Sequence, residues 1–96
     1  MRVDSKFSEF LKEQVLLKDK DAIIFLFGSR LHNDLKGGDF DFLILSDHIS
    51  FTKKLDLLVA LKLKFGEQKI DLLVYPHSAI LSNPFVKELL TSAKKL

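Results

Sequence analysis

The chain has 96 residues, 47% hydrophobic and 29% charged, with 15 Lys and Arg against 13 Asp and Glu for a formal charge of +2. That length suits one domain over residues 1–96 and is too short for two. The longest apolar run, Ala22 to Phe27, falls far short of the roughly 20 residues of a membrane helix, and the charge is too small and too scattered to mark a nucleic-acid surface.

The absence of cysteine excludes disulfides, thiolate metal sites and cysteine nucleophiles. It suits a reducing compartment, and a cytoplasmic location is expected. The opening MRVDSKF carries no apolar core of a secretory signal.

Residues from Asp4 to about Lys18 place Phe7, Phe10, Leu11 and Leu17 at helical spacing, with Asp4 or Ser5 as N-cap. Lys18 to Asp21 is a polar break. Ala22 to Phe27 is apolar and rich in strand formers, and it predicts a strand buried on both faces that ends at Gly28. Gly28 to Gly38 is polar and without period. Asp39 to Leu45 predicts a second strand, and Ser46 to Ser50 a loop.

Phe51 to Phe65 predicts a helix with Ser50 as N-cap, Gly66 as its stop, and Phe51, Leu55, Leu58, Leu61 and Phe65 on the apolar stripe. Ile70 to Tyr75 predicts a third strand, closed by Pro76. Ser82-Asn83-Pro84 opens a last helix with Phe85, Val86, Leu89, Leu90 and Ala93 on its apolar side. The expected fold class is α+β, a small mixed three-stranded sheet with helices. The short first connection allows an antiparallel pair, and the helical second one fits a parallel crossover.

Packing alone does not explain three acids. Asp39 and Asp41 lie two apart in an apolar strand, so their side chains share a face. Two carboxylates there repel each other and resist burial. Asp71 repeats the anomaly between Ile70 and Leu72. Each acid alone fits a turn or a solvent-facing strand end; together they predict one patch that binds a divalent cation. Oxygen ligands without Cys or His suit Mg²⁺ or Mn²⁺ rather than zinc.

Gly28-Ser29-Arg30 follows a buried strand directly. Gly permits close approach of a phosphate, and free N–H groups of a helix start would face the anion. A glycine-serine pair after a strand is weak by itself. It gains weight because a triphosphate needs both backbone donors and a carboxylate-held cation. His32, His48 and His77 fall in polar loops, where solvated histidines are the ordinary expectation.

The text Phe25-Leu26-Phe27-Gly28-Ser29-Arg30, then Asp39-Phe40-Asp41-Phe42-Leu43, then Ile70-Asp71-Leu72-Leu73-Val74 resembles the polymerase-beta-like nucleotidyltransferase superfamily. The late Asn83-Pro84-Phe85 extends the likeness to its small stand-alone group, the minimal nucleotidyltransferases. The resemblance implies that Gly28 and Ser29, with Arg30 nearby, hold the phosphates of a nucleoside triphosphate. It implies that Asp39, Asp41 and Asp71 bind metal and act catalytically, Asp71 helping to deprotonate an acceptor hydroxyl. It also implies ATP as donor, AMP as the group moved, and a helical HEPN-domain protein as partner in a toxin–antitoxin pair. One sheet leaves no second wall to enclose the base, and a helical partner or a homodimer would supply it. The interval between Ser29 and Asp39 is one residue shorter than that family's usual spacing. This keeps open the alternative of a catalytically silent module that neutralises a helical partner by contact.

Overall fold

The computed structural model describes residues 5–27, 40–66 and 70–96. Helix α1 (Ser5–Lys18) leads into strand β1 (Ile23–Phe27). Strand β2 (Phe40–Leu45), helix α2 (Phe51–Phe65) and strand β3 (Ile70–Tyr75) follow. Then come a single-turn helix α3 (Ala79–Ser82), helix α4 (Pro84–Leu90) and a two-residue strand β4 (Lys94–Lys95). The fold is α+β, with a mixed sheet in the order β3-β2-β1-β4.

β1 and β2 are antiparallel, with Phe27 opposite Asp41 and Ile23 opposite Leu45. β2 and β3 are parallel across the α2 crossover. The sheet has four strands where the sequence predicts three. Phe25 pairs with Lys95 and Leu26 with Lys94, and the Leu96 N–H donates to the Ile24 carbonyl at 2.9 Å. Nothing in a lysine pair favours a strand locally; the free backbone edge of β1 draws the tail into register. The last helix accordingly stops at Leu90, leaving Ala93 outside it.

Alternation along the strands sorts the core into two faces. On one face Ile24, Leu26, Phe42, Ile44 and Leu72 meet Phe7, Leu11 and Val15 of α1 and Leu57 and Leu61 of α2. On the other, Leu43 and Leu45 meet Ala79 of α3 and Val86 of α4, with Phe25, Phe27, Leu73 and Tyr75 partly covered. Each fully buried aliphatic side chain contributes about 1.5–3 kcal/mol. α1 and α2 therefore form the deep layer, and α3 and α4 a shallow one.

Local signals set the helix ends. The Ser50 hydroxyl accepts from the Lys53 N–H at 3.3 Å and starts α2. Gly66, at φ 80°, closes it with its N–H on the Lys62 carbonyl. That φ is reached cheaply only without a Cβ. The Asn83 side chain accepts from the N–H groups of Phe85 and Val86, and Pro84 occupies the first turn of α4.

The face of α2 differs from the predicted stripe. Leu57 and Leu61 are buried, Leu58 and Phe65 pack partly against the core, and Phe51 and Leu55 stand exposed. Leucine and valine fall on several sides of the helix between its lysines, so its periodicity does not choose a face; the contacts with α1 and the sheet do.

Candidate active site

Phe27, Asp41 and Asp71 form one row across β1, β2 and β3, each opposite the next in register. Neighbouring strands are about 4.8 Å apart. The two carboxylates therefore spring from adjacent backbone positions. Asp41 shares the face of Leu43 and Leu45, and Asp71 that of Leu73 and Tyr75. This is the face that α3 and α4 cover only in part. Asp41 is half-buried and Asp71 exposed.

The parallel crossover explains the juxtaposition. Both strands start at the same end of the sheet, so the second residue of β2 meets the second residue of β3. Two like charges this close repel each other. A cation between them reverses the sign of that interaction.

The structure thus brings together two of the three predicted acids. Asp39, Gly28, Ser29 and Arg30, and with them His32, lie outside the described residues. Among the described residues no group of three or more His, Asp or Glu side chains is arranged to hold a metal ion. What the described sheet shows is Asp41 opposite Asp71 in register. His48 is exposed and His77 half-buried, both in loops beyond the opposite ends of β2 and β3.

At that opposite end lies a polar cluster that the sequence reading passed over. Asp19 reads as part of a charged break, yet it is 6% exposed. Its carboxylate accepts from the Ser46 hydroxyl and from the Asp21 N–H at 3.0 Å. Ser46 in turn accepts from the N–H groups of His48 and Ile49, both at 3.1 Å. The cluster ties the end of α1 to the end of β2. The only sequence signal is a serine directly after an apolar strand.

Donation from Ser46 holds the Asp19 carboxyl below its usual value of 3.8, with burial opposing and the Asp21 N–H and the charges of His48 and His77 assisting. A depressed folded-state pKa adds stability above the unfolded value, and that stability is lost as pH falls through the folded one. Ser46→Ala is expected to cost about 1–3 kcal/mol at neutral pH, since it strands a buried carboxylate and two N–H groups. It should also flatten the loss of stability below pH 4. Thermal melts of both proteins from neutral to acidic pH check this; an unchanged acid limb in the variant would remove the hydroxyl as the cause.

Residues 4–95 match the family described as nucleotidyltransferase domain. The chain belongs to that family, part of the polymerase-beta-like superfamily, whose members generally transfer nucleotidyl groups from nucleoside triphosphates with a divalent metal. No curated protein matches the chain significantly. Among the described residues no helix is long and apolar enough to cross a membrane.

Proposed function

We propose that the chain is a single minimal nucleotidyltransferase domain, residues 1–96, that moves AMP from ATP to a hydroxyl on a protein partner. The observation that carries this reading is the Asp41–Asp71 pair, set side by side at the open end of one sheet face. In sequence Gly28 follows Phe27 and Asp39 precedes Phe40, so the remaining candidate residues are covalently tied to that row.

The donor set is carboxylate oxygen throughout, which fits Mg²⁺ or Mn²⁺. Asp39, Asp41 and Asp71 would hold the ions, and Gly28, Ser29 and Arg30 the phosphates. A divalent ion held there would neutralise phosphate charge and acidify the acceptor hydroxyl. Asp71, open to solvent beside Asp41, takes the proton of that hydroxyl. The acceptor oxygen bonds to the α-phosphorus, the bond from that phosphorus to the bridging oxygen breaks, and pyrophosphate leaves. Asp41, half-buried in the central strand, keeps its carboxylate fixed on the row.

A helical HEPN-domain protein in the cytoplasm is the acceptor that the likeness to minimal nucleotidyltransferases supports, with this chain as antitoxin. The test is incubation with α-labelled ATP, Mg²⁺ and such a partner. Label is expected on the partner and absent when the metal is chelated. An unlabelled partner that still binds the chain would favour the silent contact module instead.

A further inference from the structure

The two edges of the sheet are built differently. Beyond β1 lies β4, two exposed lysines long, a common way of blunting an edge. The other edge is β3, six residues with neither lysine nor proline, and no described strand pairs with its outer side. The Tyr75 carbonyl accepts from the Ser46 N–H at 2.8 Å. The backbone groups of Asp71, Leu73 and Tyr75 therefore turn toward β2, and those of Ile70, Leu72 and Val74 turn outward.

Beside this edge runs an apolar row on α2. Phe51 is 71% exposed, Leu55 43%, Val59 56% and Leu63 82%. These residues recur every fourth position, so they form one ridge of the helix. Phe51 and Val74 of β3 line one notch of about 210 Å³ together with Ile49, Ser50 and Lys54. Phe51 thus joins the ridge to the strand edge at Val74. The ridge alone exposes on the order of 400 Å² of apolar side chain, a patch size that is often functional on a monomer.

We infer that a second copy of this chain docks on this surface, the two β3 edges pairing antiparallel about Leu73 and the two α2 ridges closing on each other. The surface is self-complementary in both layers. Pairing about Leu73 sets Leu72 of each copy opposite Val74 of the partner subunit, and both residues present outward N–H and C=O groups. A two-fold axis perpendicular to the sheet keeps both α2 helices on one face. It lies level with the middle of α2, because the crossover helix runs back along β3.

About that level, near Leu57, an antiparallel helix pair sets Phe51 against Leu63 of the partner subunit and Leu55 against Val59 of the partner subunit. Asp56 then lies about one helical turn from Lys62 of the partner subunit. The register also holds the two Asp71 residues roughly 13 Å apart along the strands, where pairing about Leu72 would halve that spacing and add repulsion. The ridge alone offers about half of the roughly 800 Å² per subunit of a standard interface, and the strand edge adds to it. The result is one continuous eight-stranded sheet.

Sedimentation velocity from micromolar to millimolar concentration tests this. The expected species has twice the chain's 11.0 kDa mass. Leu55→Glu and Val59→Glu, both at exposed positions and so compatible with folding, should each give the monomer. Amide exchange at Leu72 and Val74 should be slower in the dimer than in either variant. A wild-type chain that stays at 11.0 kDa throughout overturns the proposal. So does a dimer that survives both substitutions, or exchange at Leu72 and Val74 that is the same in all three proteins.

Discussion

Asp71→Asn is expected to lower nucleotidyl transfer by roughly a hundredfold or more, the scale of losing one charged group that acts on the transition state. The same variant should melt within a few degrees of the wild type. Asp71 is exposed, and surface substitutions away from special features usually change stability by no more than about 0.5 kcal/mol. Asn keeps the size and one oxygen of the side chain while removing the charge. A structural turn role would survive that exchange; a role in holding metal and taking a proton would not. Asp41→Asn should cause a similar loss of transfer. The measurement is initial rate with labelled ATP, alongside a melt of each variant. Full activity in the Asp71 variant would remove it from the chemistry, and a collapsed melting temperature would make its role structural.

Phe7→Ala is expected to cost about 3–5 kcal/mol of folding stability, a large part of the roughly 5–15 kcal/mol a small domain has. Phe7 is 2% exposed. Its ring stacks on Phe42 of β2, with centroids 5.9 Å apart, and lies 5.0 Å from Phe65 at the end of α2. One side chain thus joins α1, the sheet and α2. No neighbouring backbone can collapse into the space without breaking one of those contacts. Urea unfolding gives the number, with Leu17→Ala, at an exposed position of the same helix, as the control expected to change little. A loss below about 1 kcal/mol at Phe7 would mean that the helical layer repacks freely.

What could be read from the sequence follows the range of each interaction. The bounds of α2 and β3 are set by neighbours in the chain. Ser50 and Gly66 cap the helix, Pro76 follows the strand, and both elements lie where predicted. The mixed sheet also follows from connection lengths alone. The rotation of α2 does not, because Leu55, Leu57, Leu58, Val59, Leu61 and Leu63 spread apolar residues over more of the helix than one face can bury. β4 was beyond reach for the same reason in another form: its strand exists only through pairing with β1.

The candidate site divides similarly. Acids inside apolar strands are visible as local anomalies at Asp41 and Asp71. Their adjacency depends on the β2–β3 register, which no local signal specifies. Asp19 was unreadable because its partner, Ser46, lies 27 positions away. Gly28, Ser29 and Arg30, expected at a phosphate, and Asp39, expected at a metal, lie outside the described residues.

The pairing of β4 with β1 also bears on the order in which the sheet is assembled. Phe27 and its partner Asp41 are 14 positions apart, Asp41 and Asp71 are 30 apart, but Phe25 and Lys95 are 70 apart. Closing a longer loop costs more entropy, about 0.6 kcal/mol for each doubling of length. The tail also recovers little, since its strand is two residues long and exposed. Refolding is therefore expected to begin with the β1–β2 pair, continue through the α2 crossover and finish with the tail. Among the sheet's amides that of Leu96, bonded to the Ile24 carbonyl, should exchange early through local opening. For the whole of that interval the outer edge of β1 stays bare, and a newly made or refolding chain is most open to mispairing along that strand.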